Sequence, residues 1–243
     1  MITKNKETTK MIVCLSDFHI PFHDEAAVFA AIRWINDCKP KAIYILGDLL
    51  DAYSLSRFEK DPRERSIAEE AEIAKDILAY IKRACKKVTL IDGNHEERIL
   101  RYTSKYAPEL MGIVKTIPEL LDLDKLGIKH VPYGQVHVLN ELVLKHGTRI
   151  ATGAGQSVRK EMGIEGASVC MGHSHRLAVV YHSNRNHTIV GVENGHLSDQ
   201  GKQKYLKASD GVADWQQGFS SWDKNSQGWY PILHRIYKGK VIS

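Results

Sequence analysis

The first half of the chain alternates short apolar runs with helical periodicity. Met11 to Leu15, Ala42 to Leu46 and Val88 to Ile91 are continuous apolar runs of strand length, as expected of strands buried on both faces. Between the first two, Val28, Ile32 and Ile35 recur on one face of a helix predicted over Asp24 to Asn36. Between the second and third, Ile67, Ala71, Ala74, Leu78 and Ile81 form the apolar stripe of a long helix over about Pro62 to Ala84. Pro62 suits its first turn, and the Arg and Glu residues alongside read as its solvated face. This βαβα rhythm predicts parallel strands with crossover helices.

The second half changes character. Ile128 to Tyr133, Val136 to Lys145, Ala167 to Met171, Leu177 to His182 and Thr188 to Val192 read as strands, with a hairpin turn at Ser183-Asn184-Arg185-Asn186. Trp215 to Trp222 and Trp229 to Val241 read as a final strand pair. A second sheet facing the first, with helices outside both, gives an α/β fold of four layers. No internal repeat or low-complexity linker divides residues 1–243, so a single domain is expected.

At 243 residues and 43% hydrophobic, the chain can bury one large core. A net charge of +5 is too small and too dispersed to imply nucleic-acid binding on electrostatics alone. No run reaches the roughly 18 apolar residues of a membrane span, and Met1 to Lys10 is polar, so a cytoplasmic protein without a membrane partner is expected. Cys14, Cys38, Cys85 and Cys170 lie in or beside apolar elements without C-x-x-C pairing and read as buried reduced thiols.

Five segments at the ends of apolar runs carry candidate chemistry: Asp17-Phe18-His19, Gly47-Asp48-Leu49-Leu50-Asp51, Gly93-Asn94-His95-Glu96, His146-Gly147 and Gly172-His173-Ser174-His175. Taken singly, most have ordinary readings. Gly47 to Asp51 suits a turn with a helix cap, Asn94 could cap a helix over Glu96 to Tyr106, and His146 could be a satisfied strand histidine. Together they supply imidazole, carboxylate and amide oxygen, which suit borderline divalent ions better than thiolate-seeking ones. Two such ions, roughly 3.5–4 Å apart, can polarise a phosphoryl oxygen and generate hydroxide at neutral pH. A carboxylate must then bridge them, and Asp48, leaving an apolar run directly after Gly47, is the best candidate.

In order and in type, the five segments resemble the signature of the calcineurin-like metallophosphoesterase superfamily: D-x-H, G-D-x-x-D, G-N-H-[DE], a lone His and G-H-x-H. The resemblance spans Asp17 to His175. It implies a four-layer αββα sandwich of two mostly mixed β-sheets flanked by helices. It also implies two divalent metal ions per chain, one held by Asp17, His19, Asp48 and His175 and the other by Asp48, Asn94, His146 and His173. Manganese is favoured, with Fe, Zn, Co or Ni as alternatives. Two such ions, the two carboxylates and a hydroxide leave the cluster at roughly +1, attractive to a phosphate ester. His95 is then free to act as general acid toward the leaving group. Asp51, taken as one helical turn beyond Asp48, resembles the family Asp that orients it.

The expected activity is hydrolysis of a phosphodiester or phosphomonoester, with a nucleotide or nucleic acid as the favoured substrate by analogy. Phosphoprotein phosphatases of this superfamily carry an Arg directly after G-D-x-x-D, where this chain has Ala52. Arg98 and Arg176 are the candidates for the missing phosphate clamp, and the phosphoprotein reading is the weaker alternative. An inactive metal-binding scaffold is the alternative of another class.

Three further segments remain open. Residues 101–126 form a candidate lid-like helical insertion or an ordinary packed connection. Asp199 to Asp214, with Lys202, Lys204 and Lys207, reads as a solvated loop or a substrate-contacting one. The aromatics Trp215, Phe219, Trp222, Trp229 and Tyr230 could stack on bases, but their spacing favours sheet packing or a homo-oligomer interface.

Overall fold

The computed structural model describes residues 11–56, 66–202, 214–226 and 228–242. Strands β1 (Ile12–Leu15), β2 (Ala42–Ile45), β3 (Val88–Ile91) and β4 (Lys129–Val131) are parallel neighbours, as the βαβα rhythm predicts. Helix α1 (Glu25–Cys38) joins the first pair, and α2 (Ile67–Ala84) the second. Each begins at a side-chain cap: Asp24 accepts from Ala27 N–H, and Ser66 forms a reciprocal capping box with Glu69. Helix α2 therefore starts after Ser66, and Pro62 lies outside the described residues.

Alternation along each strand builds two cores. Val13, Leu15, Ile43 and Ile45 face outward, onto Val28, Ile32 and Ile35 of α1 and Ala71, Ala74, Leu78 and Ile81 of α2. Ile12, Cys14, Tyr44 and Leu46 face inward against Leu142, Leu144, Cys170 and Val192 of the second sheet. That sheet is ordered β5 (His137–Leu139), β6 (Leu142–Lys145), β7 (Ser168–Met171), β9 (Thr188–Asn194), β8 (Leu177–Ser183). On its outer face, Val158 and Met162 of a further helix (Gln156–Glu165) cover Val143 and Val169. The result is the expected αββα sandwich.

Four details correct the sequence reading. Val136 to Lys145 is a hairpin, because Asn140 takes a left-handed φ of 54° and reverses the chain between β5 and β6. The last predicted strand is likewise cut by a turn at Lys238-Gly239, both at positive φ, into β11 (Gly228–Tyr237) and β12 (Lys240–Ile242). These strands and β10 (Gly218–Asn225) extend the first sheet, β10 pairing antiparallel with β1, instead of joining the second. Finally, Glu70 of α2 is completely buried, so not every acidic residue on that helix is solvated.

The aromatic cluster divides by role. Phe219 and Trp222 are fully buried on opposite faces of β10, and Trp229 donates its indole N–H to the Leu139 carbonyl (3.1 Å). This is sheet packing; Tyr230 alone of the five is largely exposed. Of the cysteines, Cys14, Cys85 and Cys170 are buried and Cys38 half-buried, all as free thiols. Among the described residues, no helix is long and apolar enough to cross a membrane.

Candidate metal centre

The five motif segments leave the carboxyl ends of β1, β2, β3, β6 and β7, where open α/β sheets gather ligands. Asp17, His19, Asp48, His173 and His175 all hold left-handed backbone, φ between 49° and 68°. Such conformations cost free energy in residues with a Cβ and persist where the surroundings enforce them. Here the enforcement is a web of hydrogen bonds. Asp17 N–H donates to Gly47 O (3.1 Å) and His19 N–H to Asp48 O (2.9 Å). His173 N–H donates to both Asp17 carboxylate oxygens (3.0 and 3.1 Å), and His95 N–H to Asp48 Oδ1 (3.0 Å).

A side-chain carboxylate and a backbone carbonyl fix which imidazole nitrogen faces the centre. His19 Nδ1 is 2.9 Å from Asp51 Oδ1 and His146 Nδ1 is 2.7 Å from the Leu46 carbonyl. Both Nδ1 atoms therefore act as donors, which leaves each Nε2 lone pair turned inward. His19 Nε2 lies 3.0 Å from His175 Nε2, and His175 Nε2 lies 3.3 Å from Asp17 Oδ1. His146 Nε2 lies 3.3 Å from Asp48 Oδ2, 3.0 Å from Asn94 Oδ1 and 3.2 Å from His173 Nδ1. Donor atoms that share one ion at about 2.1 Å stand roughly 3.0–3.4 Å apart, so these separations fit bound cations. Among the described residues, Asp17, His19 and His175 form one potential metal-holding group, Asp48, His146 and His173 another, and His19, Asp48 and His95 a third that overlaps both halves. His19 Nε2, 3.7 Å from Asp48 Oδ2, links the two.

The charge pattern matches. Burial alone would drive Asp48 up, but the His146 and His95 charges hold its carboxyl well below the ordinary range. Burial opposes a charge on His146, yet Asp48 and Asp17 push that ring up to about 10. Burial and then the His146 charge press His173 down to about 4.

Beyond the ligands, Asp51 lies in irregular backbone outside any helix, not one helical turn on from Asp48. Its carboxylate serves two rings, with Oδ1 2.9 Å from His19 Nδ1 and 3.2 Å from His95 Nδ1. His95 Nδ1 is also 2.8 Å from the Asp51 carbonyl. Arg98 reaches back to the same place, donating from Nη1 to Asp51 O and from Nη2 to His95 Nε2, each at 2.8 Å. Arg176 points elsewhere. It donates to the Ala151 carbonyl (2.7 Å) and pairs with Asp214, so its guanidinium is committed outside the pocket.

An open pocket of about 170 Å³ exposes His19, Asp48, Asn94, His95, Arg98, His173 and His175, with Ile150 and Trp215 completing the wall. Trp215 lies edge-on to His175, 4.2 Å between ring centres. None of residues 101–126 lines this pocket. Leu121 and Leu123 of that segment are instead buried in the outer core beside α2. Lys202 pairs with Asp199 at 3.5 Å, whereas Lys204 and Lys207 lie outside the described residues.

Glu96, which in the sequence is only the last residue of a motif segment, has a structural role here. Its buried carboxylate accepts from Asp48 N–H (3.0 Å), Leu50 N–H (2.8 Å) and Gly93 N–H (2.7 Å), clamping the two loops together. The clamp needs glycine at 93, because a Cβ there would overlap the Asp48 carboxylate.

Residues 10–217 match the family profile described as Calcineurin-like phosphoesterase. The chain belongs to that family. Among curated proteins it is similar to the Gene 54 protein of Mycobacterium phage L5, with 28% identity across 96% of each chain. The Gene 54 protein of Mycobacterium phage D29 is 30% identical, covering 87% of this chain and 88% of its own. Among solved structures it is similar to Vps29 of Entamoeba histolytica in complex with Zn²⁺ (TM-score 0.53, 12% identity, 96% of both chains). Vps29 of Chaetomium thermophilum is comparable (TM-score 0.52, 11% identity, 96% of this chain and 94% of that one). At those identities the likeness is one of fold. For this calcineurin-like phosphoesterase, fold and family thus agree with the motif reading.

Proposed function

We propose that this calcineurin-like phosphoesterase is a two-metal hydrolase of a phosphodiester or phosphomonoester, with nucleotides or nucleic acid as the substrate class. The observation that carries the reading is the inward convergence of seven donor side chains beside a His95–Arg98 pair anchored on Asp51. Asp17, His19, Asp48 and His175 would hold one ion and Asp48, Asn94, His146 and His173 the other. The mixed oxygen and nitrogen donor set suits borderline divalent ions, of which Mn²⁺ is the one proposed. When bound, the two ions supply Lewis acidity toward the phosphoryl group and a water acidic enough to ionise near neutral pH.

The chain's own residues do the rest. Arg98 binds a phosphoryl oxygen, a stronger acceptor than the imidazole it now meets. Its departure frees His95 Nε2 to carry a proton. Attack at phosphorus forms the new P–O bond, the ester P–O bond breaks, and His95 passes that proton to the departing oxygen. Asp51 receives the His95 Nδ1–H and keeps the ring aimed. The chain carries Ala52 where phosphoprotein phosphatases of this superfamily place their Arg, which supports a different substrate class.

The test is turnover of matched aryl phosphate mono- and diesters after reconstitution with Mn²⁺. Metal-dependent hydrolysis of either supports the reading. Protein that binds Mn²⁺ yet hydrolyses neither ester, nor any member of a nucleotide and nucleic-acid panel, would instead be an inactive scaffold.

A further inference from the structure

Helix α3 (Glu97–Tyr106) runs outward from the metal pocket, which it lines with Arg98. Ile99 and Thr103 bury its inner side. Arg98, Arg101, Tyr102, Lys105 and Tyr106 recur at i, i+3, i+4, i+7 and i+8, the spacing that sets side chains on one helical face. The last four are exposed, Tyr106 at 62%. Residues 98–106 hold three cations and no acid, and Glu97 lines a separate cavity on another side of the helix. Among the described residues, no carboxylate forms an ion pair with Arg101 or Lys105. Lys105 Nζ instead lies over the Tyr106 ring, 4.8 Å from its centre, and that ring stands 4.9 Å from the ring of Tyr102. Positive charge thus alternates with aromatic surface along one stripe that starts at the proposed phosphate ligand.

We infer that this face of α3 is the track for the remainder of the substrate, a single strand of nucleic acid whose scissile phosphate sits at Arg98. The assignment rests on the phosphoesterase reading and specifies its substrate class. At a rise of about 1.5 Å per residue, Lys105 stands roughly 10 Å beyond Arg98 along the helix axis, the length of about three stacked nucleotides. Arg101 and Lys105 therefore meet the phosphates that follow the one held at Arg98. The tyrosines choose among polyanions. In single-strand binders, cations follow the backbone while aromatic rings stack on bases of any sequence. A duplex keeps its base faces stacked inside, and an acidic peptide has no bases, so either would leave the rings unused. A lone nucleotide is held at the pocket and gains nothing from Lys105.

The experiment follows the fluorescence anisotropy of a labelled single-stranded deoxyoligonucleotide of about eight nucleotides, within the footprint of single-strand binders, on the chelator-treated full-length protein. It should bind saturably, and more tightly than the matched duplex or poly-glutamate. Arg101→Gln combined with Lys105→Gln should weaken binding about tenfold at low salt. The same pair should lower the steepness of log K against log salt by roughly 1.4, since each phosphate contact on a single strand contributes about 0.7. Tyr106→Ala should cost about fivefold or more, the stacking of one base. With Mn²⁺ restored, the variants should lose about the same factors in kcat/KM on the oligonucleotide and keep native turnover of the aryl phosphodiester. Absent binding, binding unmoved by the variants, or duplex or poly-glutamate bound as tightly overturns the track. Where any of these accompanies turnover of the aryl ester, the track falls alone and the hydrolase stands. Oligonucleotide binding that the variants weaken, without metal-dependent turnover of any ester, removes the hydrolase and, with it, the track's role in substrate binding.

Discussion

Arg98 Nη2 lies 2.8 Å from His95 Nε2, so the guanidinium donates to the nitrogen that carries the proton in the proposed acid role of His95. One residue thus guards the proposed acid and binds the proposed phosphate. The same guanidinium holds the Asp51 carbonyl through Nη1. A lysine, with one ammonium on a flexible stem, cannot reproduce that fork.

Arg98→Ala should therefore raise KM for an aryl phosphodiester about tenfold to a hundredfold, the range of a lost charge-assisted hydrogen bond. Arg98→Lys should recover less than half of that loss in free-energy terms. Steady-state kinetics with metal content measured in parallel decide it. A KM unchanged in both variants would remove Arg98 from substrate binding.

Metal binding and proton transfer should separate by mutation. Asp48 stands nearest both halves of the cage, 3.3 Å from His146 Nε2 and 3.7 Å from His19 Nε2. Asp48→Asn should lose bound metal and turnover together. His95→Gln should keep its metal and lose about 10²–10⁴-fold in kcat, as expected when a general acid is removed. Elemental analysis beside kcat checks this. Equal metal depletion in the two variants would make His95 a ligand.

Much of the candidate site was legible from the five segments together with the family signature they resemble. Aspartate, asparagine and histidine at the ends of buried strands have few structural uses in that combination, and the strands were long enough to recognise. What escaped depends on contacts distant in sequence or on signals weaker than their usual form. Asn140 makes its turn without the glycine that normally marks one. The helix over Gln156–Glu165 hides its inner face because buried Ser157 and Glu161 interrupt the apolar stripe. The sheet that β10 joins is set by pairing with β1, some two hundred residues away in sequence, which no local pattern encodes. Glu70 and Glu96 look like ordinary helical acids until the loops that need their oxygens are in place.

Asp51 illustrates the same point with a consequence. Sequence reasoning gave it one histidine to orient, whereas its carboxylate is within 3.2 Å of both His19 and His95. Asp51→Asn should therefore produce a double defect: metal affinity lowered about 10- to 100-fold, as for other lost partners of metal-bound histidines, together with a kcat loss that saturating metal does not restore. Isothermal titration with Mn²⁺ and kcat at saturating Mn²⁺ separate the two. A kcat fully restored by excess metal would leave Asp51 with His19 alone.

Glu70 ties the stability of the site's supporting loop to pH. It is fully buried in α2, and its oxygens accept from Ala52 N–H (2.8 Å) and Tyr53 N–H (3.2 Å), directly after Asp51. Burial, and after it the Asp51 charge, pushes its carboxyl up to about 8, against the pull of those N–H donors and of Arg98. Between the ordinary value of 4.5 and about 8, the folded chain thus holds a proton that the unfolded chain has released. Stability contributed by this group is complete below 4.5, falls as pH rises through that window, and levels off above it. Glu70→Gln keeps the shape and an accepting oxygen but cannot titrate. Urea midpoints of the chelator-treated protein from pH 5 to pH 8 should therefore decline more steeply for the native chain than for Glu70→Gln. Parallel profiles would mean that Glu70 is ionised in the folded state throughout, held by its two backbone donors in spite of its burial.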